Sequence, residues 1–218
     1  MESRNLSKSA PERSAGEVAI LDAAIKLFSQ KGYDGVSMRG VAEEAGVSKA
    51  NIYHHFESKE ALYRAIVCAS ASELSGMVSQ LAKGDGAFDT RILDFARQHL
   101  GHMEGNALSS RVIMREAFSG NDKRSKMLVD EVFGGIFTRM VSIFEAGQQA
   151  GVLRPELDPA LCATLLIGAD VFYFQAKGTL KHLPRAEFAG DPLRFSNQMV
   201  DVMLNGMLAT SARQESQK

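Results

Sequence analysis

Among its 218 residues the chain has no tryptophan, two cysteines and five prolines, and its formal net charge is only −1. Each shortage excludes something. Cys68 and Cys162 are far apart and show no CxxC spacing, so neither a zinc ribbon nor a redox motif can be read from them, and both are expected to be small buried apolar residues. No run reaches the roughly 18 uninterrupted apolar residues of a membrane span, and the N-terminal region lacks the apolar stretch of a signal peptide. The expectation is a cytoplasmic protein with no membrane partner. Residues 1 to 64 hold nine Lys plus Arg against nine Asp plus Glu. Any affinity for nucleic acid must therefore come from local placement, not from a global field.

Hydrophobic residues make up 45% and charged residues 23% of the chain, the balance of an ordinary globular protein. The apolar spacing is helical almost throughout, and no stretch alternates with period two for long enough to make a sheet. Leu21, Ala24, Ile25 and Phe28 follow i, i+3, i+4, i+7 and are stopped by "KGYDG". Met38, Val41, Ala42 and Ala45 repeat the pattern, with Ser37 as N-cap and Gly46 as the stop. Ser48 caps a third helix ending near Phe56, and only "GVS" separates it from the second. Two short helices joined by a glycine-bearing turn make either a helix-turn-helix or a plain helical hairpin. Further helices are expected after Ser58 and near 88–103, 106–118, 123–150, 159–182 and 192–210. Gly134 and Gly135, inside the fourth of these spans, point to a kink or a close approach.

The fold class is therefore all-α, with an N-terminal three-helix domain followed by a larger helical bundle. The expected divisions are a tail at 1–14, the small domain at 15–60, the bundle at 61–212 and a tail at 213–218.

The third helix contains adjacent histidines, and its geometry separates them. At about 100° per residue, Ile52 and Phe56 lie about 40° apart and mark the buried stripe; His55 is then about 60° from Ile52 and His54 about 160°. A metal pair on a helix wants i, i+3 or i, i+4 spacing, so the two do not form one site. The outward residues Ser48, Lys49, Ala50, Asn51, Tyr53 and His54 include no acid. Hydroxyl, ammonium and amide groups suit phosphates, and an Asn amide suits adenine. The alternative is a solvated polar face.

"SMRGVAEEAGVSKANIYHHFESKEALYRAIV" resembles, nearly position by position, the helix-turn-helix of TetR-type transcriptional regulators, "TMRxxAxxAGVSKGxLYHHFxSKExL", over about residues 16 to 67. The resemblance implies a DNA-binding regulator, most simply a repressor that binds a palindromic operator as a dimer. It also implies that Ser37, Arg39, Ser48, Lys49, Ala50, Asn51, Tyr53, His54 and Lys59 lie at or near DNA, and that Ile52, His55 and Phe56 pack. Ala50 and Asn51 depart from the glycine and threonine frequent in relatives, which bears on base preference. No resident cofactor is implied. The C-terminal domain of such proteins typically takes a small-molecule effector and a second subunit.

Which residues would do this must come from the sequence. Met77, Phe95, His99, His102, Met114, Phe118, Phe133, Phe137 and Phe172 suggest an adaptable apolar interior for a small apolar or aromatic ligand, or plain core. "ALCATLLIGADVFYFQA" is apolar nearly all round and so needs two burial surfaces. Leu165 and Phe172, with Val200, Met203, Leu204 and Met207 of the last helix, are the expected homodimer interface. Two other functions compete. An all-helical enzyme would rest on His99 and His102 with nearby carboxylates, without a nucleophile elbow, phosphate loop or HExxH motif. An interaction module would have kept the fold without binding DNA. The same two histidines have metal spacing, but only Asp94 or Glu116 offers a further ligand, and no metal site is expected.

Overall fold

A computed structural model describes residues 13–207. These contain ten α-helices and, among the described residues, no strand. The tails expected at 1–14 and 213–218 fall almost wholly outside them, as do residues 208–210 of the last expected helix. The chain divides into two compact units between Ile66 and Val67, a few residues beyond the boundary expected at 60.

The first unit contains α1 (Ala15–Lys31), α2 (Met38–Glu44), α3 (Lys49–His55) and the start of α4 (Lys59–Lys83). Its helix starts are written in serines: the hydroxyls of Ser14, Ser37 and Ser48 accept from the amides of Glu17, Gly40 and Asn51 at 3.2, 3.1 and 3.1 Å. Each satisfies a backbone donor that the first helical turn leaves unpaired. The turn between α2 and α3 depends on Gly46, whose φ is 67°. In that left-handed conformation the Val47 amide reaches Ala42 O at 3.0 Å and the Gly46 amide reaches Glu43 O at 3.3 Å. This double-bonded C-terminal cap reverses the chain within three residues. Ile20, Ala24, Phe28, Val41, Ile52 and Leu62 form the buried interior. Tyr63 stands edge-on to both Phe28 and Tyr33, at ring centroid distances of 5.3 and 5.1 Å.

The second unit contains the remainder of α4, then α5 (Phe88–Gly105), α6 (Ala107–Ala117), α7 (Asp122–Leu128), α8 (Gly134–Gln149), α9 (Pro159–Leu180) and α10 (Pro192–Met207). α5 packs on α9 and α10, and α8 packs on α9. Between them lie Ile92, Phe95, Met140, Phe144, Leu166 and Val200, all buried. Beyond α8, the Arg154 amide and guanidinium donate to Met207 O and Gly206 O, each at 2.9 Å, and fasten the end of α10. By length and composition α9 could cross a membrane. Its middle nonetheless carries a fully buried Asp170, bonded within the unit.

Two expectations are corrected here. Cys162 is buried and its thiol is pushed up by that burial, but Cys68 is exposed. The single helix expected at 123–150 is two helices joined by a π-helical turn, Val129–Phe133. Gly134 closes that turn by donating to Val129 O, and a Cβ at Gly134 would lie 2.6 Å from the same oxygen. Gly135 has nothing within 4 Å of its Cβ position. Glycine costs about 1 kcal/mol relative to alanine in an ordinary helix, so Gly135→Ala is expected to stabilise by up to about that amount. Gly134→Ala is expected to destabilise by about 1–3 kcal/mol through overpacking. Thermal denaturation of the two variants gives shifts of opposite sign.

Candidate nucleic-acid interface and an apolar cavity

Seven residues make a helix too short to stand alone, so α3 depends on what it inserts. Ile52 is fully buried and Phe56, its C-cap, nearly so. Lys49, Ala50, Asn51, Tyr53 and His54 are exposed, and His55 is half-buried beside Gly16 of α1. The two histidines differ in burial as their spacing implies, yet their rings do not part: they meet edge to face with centroids 5.2 Å apart. No acid lies on α3, and the acids of α2 are occupied. Glu43 accepts from Arg39 at 2.8 Å, and Glu44 accepts from Lys26 at 2.6 Å, a bond that holds its carboxyl below the usual range. The Arg39–Glu43 pair is exposed on both sides. Such pairs contribute little, so Arg39 can leave Glu43 for a phosphate at small cost.

Lys59 has a different task from the one expected. Its ammonium is turned inward, donating to Tyr33 O and Val36 O, each at 3.0 Å, and lying 4.3 Å from the Tyr33 ring centroid. It ties the start of α4 to the turn between α1 and α2. Of the nine residues named for DNA, it is the one whose cation is committed inside the unit.

In the second unit a cavity of about 380 Å³ is walled by α4 to α9 and the π-helical turn. Five of the nine residues expected at a ligand site line it: His99, His102, Met114, Phe133 and Phe137. Four do not. Phe95 is core, stacked on His99 at 5.6 Å. Met77 packs against that core and borders another recess. Phe118 and Phe172 point outward, 69% and 61% exposed, because one caps the end of α6 and the other lies on the outer face of α9. Ser110, Ile113, Ser125, Ile136 and Val171 line the cavity without having been expected there.

The buried polar pair behind the cavity also went unnoticed. His99 Nδ1 lies 2.8 Å from Asp170 Oδ2, and Asp170 is wholly buried. Burial pushes the Asp170 carboxyl up, and the hydrogen bond and charge of His99 oppose that. An acid in the middle of an otherwise apolar helix was the available signal, since such a group demands a partner. His102 Nδ1 lies 2.9 Å from Glu73 Oε2. Glu116, considered as a metal ligand, is instead bonded to Arg124 and Ser119 across the α6–α7 corner.

The expected dimer residues also divide. Leu165 and Phe172 are exposed on α9, with Leu161 on the same face. Val200, Leu204 and Met207 are buried at 2%, 7% and 6% exposure, and Met203 is half-buried against them. That stripe of α10 belongs to the protomer's own core, where it faces α5, and is removed from the interface.

Residues 20–66 match the model for bacterial regulatory proteins of the tetR family. The N-terminal unit carries the helix-turn-helix domain of the TetR family. The nucleoid occlusion factor SlmA of Marinomonas sp. is 23% identical over 189 residues, which cover 87% of this chain and 93% of that protein. The negative regulator IcaR of the biofilm operon in Staphylococcus aureus is 39% identical over 59 residues, 27% of this chain and 32% of IcaR. Among solved structures, the fatty acid degradation regulator FadR of Bacillus halodurans superposes with a TM-score of 0.74 at 16% identity, over 89% of this chain and 97% of that one. The fold of the described residues is shared with solved regulators described as TetR-family proteins.

Within a TetR-family head, the inward bond of Lys59 has a measurable consequence. Lys59→Met leaves two part-buried carbonyls without their donor and is expected to lower stability by about 1–3 kcal/mol. Lys49→Met, on the exposed face, is expected to leave stability within about 0.5 kcal/mol. Chemical denaturation followed by circular dichroism separates them.

Proposed function

We propose that this TetR-family DNA-binding regulator is a repressor that grips a palindromic operator as a homodimer and releases it when a small apolar ligand occupies the cavity of the second unit. It works in the cytoplasm, without catalytic activity. The observation that carries the DNA reading is the acid-free exposed face of α3, seated by Ile52 and Phe56. Lys49, Tyr53, Ser37, Ser48 and Arg39 suit phosphates, while Asn51, with Ala50 and His54 beside it, suits base edges. The hydroxyls of Ser37 and Ser48 are engaged as caps through their lone pairs, and each keeps its proton for a phosphate oxygen. Repression is supported by the likeness to IcaR, described as a negative regulator.

Dimerisation is supported by the outer face of α9. Leu161, Leu165 and Phe172 recur at helical spacing, all about half exposed or more. An exposed apolar stripe on a helix whose other side is already buried is the usual mark of a partner surface. Two heads related by a two-fold axis would read half-sites about one duplex turn apart. Release follows by linkage if the ligand prefers a conformation in which the heads no longer match that spacing.

Binding to the DNA upstream of the protein's own gene is expected to weaken steeply as salt is raised, by roughly 10³-fold or more between 50 and 200 mM if six or more phosphates are neutralised. A flat response would remove the DNA reading. Asn51→Ala should weaken binding to that DNA by about 1–3 kcal/mol while leaving random DNA unaffected, as measured by fluorescence anisotropy on both. Phe172→Arg should convert dimer to folded monomer in sedimentation velocity, whereas Val200→Arg should unfold the protomer.

A further inference from the structure

We infer that the ligand of the cavity is a small apolar weak acid, a molecule whose one carboxylic or phenolic O–H meets Nε2 of His99, with the His102 ring beside it on the wall. The inference rests on the reading of that cavity as the ligand site and narrows it to a chemical class.

The walls are short of every other polar handle. No lysine, arginine, aspartate or glutamate lines the cavity; its polar groups are the two histidines and Ser70, Ser110 and Ser125. Ser110 already donates to Met103 O at 3.2 Å. A polyanion such as a phosphate ester would find no permanent cation, and a cationic ligand would find no carboxylate on the wall. The remaining surface, including Met103, Ile113, Phe133, Ile136 and Ile167, is apolar. The body of the ligand is therefore apolar, and its recognition is concentrated at the imidazoles.

The two rings are held differently. His99 Nδ1 is hydrogen-bonded to Asp170 at 2.8 Å, whereas His102 Nδ1 lies 2.9 Å from the exposed Glu73 carboxylate and 3.1 Å from the Asn106 amide, which also donates to His102 O at 3.2 Å. With Nδ1–H given to a carboxylate, Nε2 of His99 is the remaining nitrogen of its ring and carries the lone pair. Asp170 holds this tautomer because it is wholly buried and its Oδ1 accepts no hydrogen bond from the described groups, so its carboxylate is committed to His99.

A basic lone pair in an apolar cavity selects an acidic O–H donor. In the neutral arrangement the ligand O–H donates to Nε2. If the proton crosses, the O–H bond breaks, an Nε2–H bond forms, and the ligand anion is held by an imidazolium whose other side faces Asp170. The total charge of the cavity is the same before and after, so no uncompensated ion is created. An alcohol can make the first arrangement only weakly and the second not at all. An ester can make neither.

The test uses the full chain and two matched sets of probes, decanoic acid with 1-decanol and methyl decanoate, and 1-naphthoic acid with 1-naphthalenemethanol, measured by calorimetric titration. In each set the acid is expected to bind about ten-fold tighter than its alcohol, the equivalent of one charge-assisted hydrogen bond. That preference should largely vanish in His99→Gln and be reduced in His102→Gln, which removes the neighbouring imidazole from the wall. Because His99→Gln could unfold the unit by stranding Asp170, Asp170→Asn is measured beside it. It retains the ring but removes the carboxylate, and should reduce the preference for acids while the alcohols bind as before. Equal affinity for acid and alcohol, or an acid preference that survives all three substitutions, overturns the assignment of the headgroup and leaves the cavity reading standing. Failure of every probe to bind, the neutral ones included, overturns both.

Discussion

Everything outward-facing on α3 depends on the insertion of Ile52 and Phe56 into the first unit. A two-turn helix gains too few backbone bonds to offset its own ordering. Burial of two large side chains contributes about 1.5–3 kcal/mol each, and the caps at Ser48 and Phe56 satisfy its ends. Because both anchors lie on one stripe, the rest of the helix is released from structural duty. The face can then be chosen for contact alone, which is why His54 and His55, neighbours in sequence, belong to different surroundings. The Gly46 turn and the inward Lys59 hold α2 and α4 around this helix and so serve the same end.

Asp170 imposes the comparable constraint in the second unit. A carboxylate taken wholly out of water requires a partner, and His99 of α5 supplies it. The bond fixes α5 against α9 at one end of the cavity and orients the imidazole that lines it. An acid placed in the middle of α9 for packing alone would be a pure cost. As the support of a cavity-lining histidine it gives that ring a defined tautomer.

Much of this was legible in the sequence, and the misses share a cause. Helix positions, the three serine caps and the Gly46 stop are local, set by residues three or four apart, and could be read directly. Burial partners are not local. The periodicity of Val200, Leu204 and Met207 announces a buried stripe but not whether a neighbouring helix or a second subunit covers it; in the fold α5 does. Phe118 and Phe172 are apolar residues on outer surfaces, and composition cannot tell an outer phenylalanine from an inner one. Lys59 could be placed at a helix start, where anions are favoured. That the same ammonium is needed by Tyr33 O and Val36 O becomes visible only when the preceding turn is folded. Gly134 and Gly135 signalled irregularity, but only the backbone shows that the first is required and the second is not.

The walls of the cavity differ in how much they lose by moving. The α5–α9 wall is backed by the buried Ile92 and Leu166 and by the buried bond of His99 to Asp170, so displacing it would expose apolar surface and strand a carboxylate. The π-helical turn from Val129 to Phe133 has no fully buried residue, only Val132 and Phe133 half-buried against the core, and shifting it uncovers less than moving the α5–α9 wall would. Regions with few buried contacts are those that rearrange at low cost. A ligand must bind one state about 10⁴-fold better than the other to invert a 99:1 population, and it can do so only through contacts that differ between states. The histidine wall, being fixed, is suited to recognising a headgroup equally in both. On the proposed reading of the cavity as a ligand site, discrimination would have to come from the apolar body of the ligand against Val129, Phe133 and Phe137, and the size of that body would decide whether binding also switches the protein.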